Sequence, residues 1–185
     1  MEKHVCPWWV GYLLASPLRR LLEDTAAILK PFVFEGMCVL EPGPGMGFFT
    51  LELARLVGPK GRVIAIDVQP RMLEALVRRA RRANVAERIE TRMPKRDHLG
   101  TEDLRGAVDF ALAYAKVHEV PSAANLMSDL HTALKTGGKL LFAEPVGHVK
   151  AAGFEDSLLA AKQAGFAVES HPRIWRSRTA VLVRV

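Results

Sequence analysis

Short apolar runs alternate with longer segments of mixed polarity from position 37 to the end of the chain. The runs have the length and composition of buried strands, and the segments between them carry the caps, breakers and apolar spacing of helices. The predicted strands are 37–41, 62–67, 88–92, 108–114, 139–144, 166–170 and 179–185. The predicted helices are 17–29, 46–57, 70–84, 121–134 and 152–164, with a further short helix after Gly100.

This order of elements predicts an α/β fold. Because strands alternate with helices, the sheet is expected to be doubly wound, mostly parallel and seven-stranded. Only a short connection joins 166–170 to 179–185, so the last two strands are expected to be antiparallel neighbours. With 185 residues the chain is expected to be one domain, in which residues 36–185 form the core and residues 1–35 precede it.

The composition is that of a globular protein, with 49% hydrophobic and 25% charged residues. No apolar run approaches the roughly 18 residues that a membrane-spanning helix needs, and the N-terminus has no signal-peptide layout. A cytoplasmic location and no membrane partner are therefore expected. The two cysteines, Cys6 and Cys38, show no metal-type spacing, so no metal site is predicted. Cys38 opens the first strand and is expected to be a small buried hydrophobe.

A net charge of +6 raises the question of nucleic-acid binding. Much of the excess lies at the end of the predicted helix 70–84 and just beyond it, at Arg78, Arg79, Arg81, Arg82 and Arg88. Basic side chains at a helix C-terminus interact favourably with the helix dipole. A solvated helix end is therefore favoured over an RNA-binding surface, and nucleic acid is not the expected partner.

The most informative local pattern is a glycine-rich turn after the first predicted strand. Gly43, Gly45 and Gly47 allow close approach of a ligand to the backbone, because no Cβ is in the way. The second strand ends in Asp67, whose carboxylate can accept both hydroxyl hydrogens of a ribose. Turn and acid together predict a nucleoside pocket. The alternative is a strand-to-helix turn without a ligand.

The spacing of the glycines indicates which nucleoside cofactor the pocket binds. The dinucleotide fingerprint G-x-G-x-x-G needs a third glycine at position 48, where this chain has Phe48. A dinucleotide also places its pyrophosphate on a helix N-terminus, whereas S-adenosylmethionine (SAM) has no phosphate and carries a sulfonium. Glu41, two residues before the first glycine, suits that cationic ligand better than a phosphate.

The segment Glu41-Pro-Gly-Pro-Gly-Met-Gly47 resembles motif I of the class I SAM-dependent methyltransferases, and 66–72 resembles their second motif. From about Val39 to Val185 the order of segments is similar to that of the family. The resemblance implies a Rossmann-like sheet whose last strand inserts antiparallel, SAM as cofactor and S-adenosylhomocysteine (SAH) as product. The cofactor-binding residues that it implies are Glu41, Gly43, Pro44, Gly45, Met46, Gly47, Asp67, Val68, Lys95, Arg96, Ala113 and Tyr114.

Two segments further along complete the resemblance and one departs from it. Residues 109–121 are similar to the family's motif IV region, and His118 stands where small-molecule methyltransferases often carry a histidine. Residues 134–145 resemble the family's L-K-P-G-G turn and the strand after it, with Thr136 in place of the proline. Many relatives bind the adenine amino group with an acid after the third strand. Here Lys95 takes that place, which leaves backbone groups and apolar walls, or Asp97, to hold the adenine.

The residues that could take part in catalysis lie at the carboxyl ends of the central strands, where open α/β sheets bind ligands. They are Tyr114, His118, Glu119, Glu144 and His148. His118 is the candidate general base, or else a structural histidine of the loop. Glu144 is expected to face the substrate or to pair with a basic residue, and it is the second catalytic candidate.

The expected function is SAM-dependent methyl transfer to a small-molecule acceptor. The amino-terminal segment 1–35, with Trp8, Trp9 and Tyr12, is expected to be a helical lid over the cofactor, or else a helix on the sheet edge. Two alternatives stay open: a SAM-binding protein without transferase activity, and an RNA methyltransferase. The second rests on charge alone, because the Asn/Asp-Pro-Pro-Tyr/Phe pattern of amino-directed nucleic-acid enzymes is missing at 113–115.

Overall fold

The computed structural model describes residues 23–95 and 97–185. The chain divides into two compact units, the first ending at Pro94 and the second beginning at Lys95. The predicted lid, residues 1–35, lies mostly outside the described ranges, as do Trp8, Trp9, Tyr12 and Cys6, and its role stays a prediction.

The first unit is a three-stranded parallel layer with short helices between its strands. Its strands are β1 (Cys38–Pro42), β2 (Arg62–Ile66) and β3 (Ile89–Arg92), and β2 pairs in parallel with both of the others. Its helices are α1 (Thr25–Leu29), α2 (Thr50–Leu56) and α3 (Pro70–Arg82), and a 3₁₀ turn (Ala86–Arg88) precedes β3. Strands β1 and β2 are buried over nearly their whole length, because parallel strands are covered on both faces.

The second unit combines parallel and antiparallel pairing. Its strands are β4 (Val108–Tyr114), β5 (Leu134–Pro145), β6 (Phe166–Ser170) and β7 (Ser177–Arg184). Its helices are α4 (Ala123–Ala133) and α5 (Ala151–Gln163), with 3₁₀ turns at Glu102–Leu104 and Val117–Glu119. Strand β5 pairs in parallel with β4 and antiparallel with β7. The rings of Phe142 on β5 and Phe154 on α5 stack with centroids 4.8 Å apart.

The seven strands form a sheet of order β3-β2-β1-β4-β5-β7-β6. The prediction of a doubly wound, mostly parallel seven-stranded sheet is therefore confirmed, as is the antiparallel pairing of the last two strands. Strand β7 lies between β5 and β6, so the final strand is inserted rather than added at the edge. The inserted position suits β7 because consecutive residues of its apolar run, Ala180, Val181 and Leu182, are fully buried, so the strand is covered on both faces.

Three predicted elements need correction. The helix expected over 17–29 is wrong at Glu23 and Asp24, which are not helical; Asp24 instead caps α1 by accepting N–H bonds from Ala26 and Ala27. The helix expected from Met46 begins only at Thr50, because Gly47 has φ +85° and a left-handed residue cannot continue a helix. Strand β5 begins at Leu134, five residues earlier than expected.

Other boundaries agree with the sequence signals. Ser122 caps α4 by accepting the N–H of Asn125, and Pro70 is at the start of α3. Cys38 is half-buried rather than fully buried, and its sulfur accepts a hydrogen bond from Nε of Arg62 at 3.3 Å. In the part of the chain that the structure describes, no helix is both long and apolar enough to cross a membrane.

Candidate functional site

The glycine turn after β1 has the backbone conformation that only glycine adopts easily. Gly43, Gly45 and Gly47 have φ of 73°, 54° and 85°. A Cβ on Gly45 would meet no atom within 4 Å, so this part of the turn faces open space. A Cβ on Gly47 would collide with Cδ1 of Leu76, so this end of the turn packs against α3. The middle of the turn is therefore accessible to a ligand, and its end is not.

Hydrogen bonds to neighbouring elements hold this turn in place. The N–H of Gly43 donates to the carbonyl of Ile66 at 2.8 Å, and the N–H of Gly47 donates to the carbonyl of Pro44 at 2.9 Å. Arg79 on α3 donates to the carbonyl of Met46. The turn is thus preorganised by β2 and α3.

Asp67, directly after β2, lies beside the turn, as the sequence predicted. Its side chain is buried, its Oδ2 accepts the N–H of Gly45 at 3.3 Å, and its Oδ1 accepts the N–H of Gln69 at 2.9 Å. Each carboxylate oxygen has a second lone pair, so Asp67 retains the capacity to accept two ribose hydroxyls. Val68 is 44% exposed next to it and can form an apolar wall.

Glu41, at the end of β1, is buried and has a partner that sequence patterns did not reveal. The hydroxyl of Thr50, at the start of α2, donates to its Oε2 at 2.6 Å. Burial raises the pKa of the Glu41 carboxyl to about 7, the charge of Asp67 adds to the rise, and the Thr50 bond opposes it. A ligand cation would favour the charged form of this carboxyl.

Glu41 should make the protein less stable as the pH rises from about 4.5 to 7. Its pKa is higher in the folded chain than its ordinary 4.5, so the folded state binds the extra proton in this window. At about 1.4 kcal/mol per pH unit, the free energy of unfolding should fall by about 3 kcal/mol. Urea unfolding of the ligand-free protein across this range should show that fall, and Glu41→Gln should remove most of it. An equal pH dependence in the variant would contradict the assignment.

The two catalytic candidates of the second unit are in direct contact. Nδ1 of His118, in the 3₁₀ turn after β4, lies 2.6 Å from Oε2 of Glu144 on β5. The backbone N–H of His118 donates to the other oxygen, Oε1, at 3.1 Å. The Glu144 side chain is 1% exposed and that of His118 is 28% exposed. The buried carboxylate therefore fixes the ring, and the ring reaches the surface.

This contact determines which ring nitrogen can act as a base. A carboxylate only accepts hydrogen bonds, so Nδ1 carries a hydrogen and donates it. Neutral His118 then has its acceptor at Nε2, the nitrogen that Glu144 does not engage. The hydrogen bond to Glu144 raises the pKa of His118 above 6.5, and burial opposes that rise. The ring of His148 lies 6.0 Å from that of His118, centroid to centroid, and its side chain is exposed.

The surrounding residues of the motif IV segment are also held. Nζ of Lys116 lies 3.3 Å from Oε2 of Glu119, and both side chains are largely buried, so Glu119 forms an ion pair. Tyr114 OH lies 3.3 Å from Oγ of Ser177 on β7. Ala113 is fully buried on β4. The predicted cofactor contacts of Tyr114 and Ala113 stay predictions.

The segment expected to hold the adenine is exposed. The Lys95 side chain is 73% exposed, with Nζ 3.3 Å from Oε2 of Glu102. Lys95 and His98 exchange backbone hydrogen bonds and so close a tight turn around Asp97, which is exposed. Arg96 lies outside the described residues. Lys95, Arg96 and Asp97 stay predictions as adenine contacts.

The basic cluster near the end of α3 has partly structural roles. Arg79 binds the carbonyl of Met46, and Nη1 of Arg88 donates to the carbonyl of Ala54 at 3.0 Å. Arg78, Arg81 and Arg82 are exposed. Within residues 23–95 and 97–185, no group of three or more His, Cys, Asp or Glu side chains is arranged to hold a metal ion.

Comparison of the sequence with known proteins identifies the family to which the chain belongs. A family model described as a methyltransferase domain matches residues 34–175. An arsenite methyltransferase of Halobacterium salinarum is 31% identical over 111 residues, 60% of this chain and 28% of that protein. A protein-L-isoaspartate O-methyltransferase of Arabidopsis thaliana is 27% identical over 143 residues, 77% of this chain and 60% of that protein. The chain thus spans less than two thirds of the length of these curated relatives.

A solved structure agrees with this result at the level of the fold. A SAM-dependent methyltransferase from Aquifex aeolicus superposes with a TM-score of 0.83 over 97% of this chain and 98% of that chain, at 23% identity. A likeness at this identity shows the fold alone, and the family match covers most of the chain. The chain therefore belongs to the methyltransferase-domain family, and with it to the SAM-dependent methyltransferases that its motifs resemble.

Proposed function

We propose that this protein transfers a methyl group from SAM to a small-molecule acceptor that must lose a proton, with His118 as the general base. The observation that carries the proposal is the pair of His118 with the buried Glu144, 2.6 Å apart at the carboxyl ends of neighbouring strands. A base oriented by a second group is the arrangement that proton abstraction needs.

The residues of the first unit fit SAM. The turn at Gly45 offers open space to a ligand. Glu41 comes just before this turn in the chain, and the carboxylate of Asp67 accepts the N–H of Gly45. Asp67 would hold the ribose hydroxyls, and Glu41 would favour the cationic amino-acid and sulfonium part. A dinucleotide would instead place its pyrophosphate on a turn that directly follows the buried carboxyl group of Glu41, which disfavours that cofactor here.

The chain's own residues supply positioning and proton transfer. SAM, when bound, supplies an electrophilic methyl group, and its sulfur keeps the bonding electron pair as a neutral thioether. Nε2 of His118 takes a proton from the acceptor as the acceptor's nucleophilic atom attacks the methyl group. Glu144 is a positioning residue: it holds the ring and stabilises the imidazolium that forms. One proton is released for each methyl group transferred.

Binding and transfer test the proposal separately. SAH should bind in titration calorimetry, and NADH should not. Tritium from methyl-labelled SAM should appear in a small acceptor from a panel of phenols, thiols, amines and carboxylates. Binding without transfer to any of them would favour the SAM-binding protein without transferase activity. Salt-sensitive labelling of RNA, lost when Arg78, Arg81 and Arg82 are neutralised, would favour the RNA methyltransferase.

The pH dependence of the rate should report the His118–Glu144 pair. Because the pKa of His118 is raised, kcat/KM should rise with pH around a midpoint above 6.5, as the ring loses its proton. The stabilising interaction of the protonated ring with Glu144 is complete below pH 6.5 and is lost as the pH rises through that raised pKa. Glu144→Gln should move the midpoint of the rate profile downward and lower its plateau. A profile that keeps its midpoint in the variant would contradict the role of Glu144.

A further inference from the structure

A pocket of about 540 Å³ lies in the second unit, outside every motif that the sequence singled out. It is formed by the start of α5, the β6–β7 connection and the first residues of β7; its lining includes Phe154, Glu155, Arg173, Trp175 and Arg178. The pocket is largely open to solvent, and its volume is in the range of sites for small organic molecules.

The polar groups of this pocket favour an anion. The lining residues that the structure describes include two arginines, Arg173 and Arg178, and a single carboxylate, Glu155. Nη1 of Arg178 donates to the carbonyl of Val149 at 2.9 Å, which fixes the guanidinium while leaving its other N–H groups available. Arg173 is exposed and forms no ion pair with any residue in the described ranges. A guanidinium binds a carboxylate with two parallel hydrogen bonds.

The aromatic group of the pocket is a tryptophan at its mouth. Trp175 is 60% exposed, and the guanidinium of Arg176 lies 5.2 Å from its ring centre. Leaving a large indole in water forgoes the free energy of burying it. A planar ring that stacks on this indole would recover that burial.

The connection that carries these groups is ordered by its own hydrogen bonds. The Thr179 hydroxyl donates to the carbonyl of Pro172, and Nδ1 of His171 lies 2.7 Å from the carbonyl oxygen of Thr179. The N–H of Ser177 donates to the carbonyl of Ile174 at 3.1 Å. Arg176 has φ +54°, a conformation that costs a non-glycine residue free energy. A loop held in this way is preorganised for a ligand.

This pocket adjoins the pair assigned to proton transfer. Arg178 on β7 is the Cα partner of Glu144 on β5, so the two side chains leave the sheet on the same face. Ser177, which also lines the pocket, contacts the hydroxyl of Tyr114 at the end of β4. Strand register therefore places one arginine of the pocket, Arg178, beside Glu144, the residue that holds the ring of His118.

We propose that this pocket binds the methyl acceptor, and that the acceptor is a small aromatic molecule bearing a carboxylate. The carboxylate is held by Arg173 and Arg178, and the ring stacks on Trp175. This inference rests on the proposed function, because it names the acceptor class for the same reaction. It assigns specificity for the acceptor to the β6–β7 connection and the first residues of β7.

Two matched probes test the pocket without any turnover. They are 4-hydroxybenzoate and 4-hydroxybenzamide, which share the ring and hydroxyl and differ in charge. Binding is followed by NMR through the indole N–H signal of Trp175, assigned with Trp175→Phe, and by calorimetry in the presence of SAH. The benzoate should shift that signal and bind at least about tenfold tighter than the amide.

Two variants alter the pocket: Arg173→Gln, and the double variant Arg173→Gln with Arg178→Gln. The matched control is Arg105→Gln, which changes an exposed arginine elsewhere in the same unit. The single pocket variant should lose most of the preference for the benzoate, the double variant all of it, and Arg105→Gln none. SAH binding should be equal in all of them, which separates this inference from the proposed function.

Three results overturn the inference while leaving the proposed function intact. The first is SAH binding with no shift of the Trp175 signal by the benzoate. The second is equal affinity for benzoate and benzamide. The third is tighter binding of an isoaspartyl peptide than of the benzoate, which indicates a protein acceptor. Failure of SAH itself to bind contradicts the proposed function instead.

Discussion

His118→Asn should lower kcat by about 10²- to 10⁴-fold for an acceptor that must lose a proton. The variant removes the basic Nε2 that the contact with Glu144 leaves available. Asparagine is the suitable replacement because its amide can still donate to the carboxylate. Loss of the partner of the buried Oε2 of Glu144 would otherwise destabilise the protein and confuse the result. Initial rates at saturating SAM, measured at pH 8, check this expectation.

His148→Asn is the matched control. His148 is exposed and its ring lies 6.0 Å from that of His118, so it tests for a nonspecific loss of a nearby imidazole. Its rate should remain within a few-fold of the unmodified protein, and both variants should bind SAH equally well. Equal rates for His118→Asn and the unmodified protein would show that methyl transfer here depends on alignment alone.

Asp67→Ala should weaken SAM binding by about 1 to 3 kcal/mol, or roughly 5- to 150-fold, because charge-assisted hydrogen bonds to the ribose are lost. The carboxylate also accepts the N–H groups of Gly45 and Gln69, so the variant loosens the glycine turn as well. Asp67→Asn keeps one acceptor oxygen and should fall between the alanine variant and the unmodified protein. Titration calorimetry with SAH measures all three.

Glu74→Gln is the control for charge, since Glu74 is exposed on α3. It should leave the affinity for SAH unchanged. Thermal unfolding of each variant without ligand separates a loosened turn from a lost ligand contact. An unchanged affinity of Asp67→Ala for SAH would contradict the assignment of Asp67 to the ribose.

The fold was largely predictable because its signals are local. The apolar runs of β1, β2 and β4 are buried strands at nearly the predicted positions, and Ser122 and Pro70 mark their helices as expected. The errors at Asp24 and Gly47 have a common origin. Apolar spacing continued through both positions, while a side-chain cap at one and a left-handed glycine at the other decided where the helix begins.

The candidate site was predictable in its residues and not in its contacts. Gly45 and Asp67 were expected to meet, because a turn after one parallel strand and the tip of the next lie at the same edge of a sheet. Pairing of Glu144 with a basic residue was one of its two predicted roles, but the sequence did not indicate that His118 would be the partner. Their contact depends on the register of β4 and β5, in which Tyr114 is opposite Ala143.

The amino-acid sequence by itself determined the strand and helix order, the glycine turn and the acid at the end of β2, because periodicity, caps and glycines act over a few residues. Tertiary structure alone decided that Thr50 binds Glu41, that Arg79 holds the turn, and that the β6–β7 connection forms a basic aromatic pocket. These contacts join residues that are distant in the chain. Their geometry follows from strand register and side-chain packing, which no local pattern encodes.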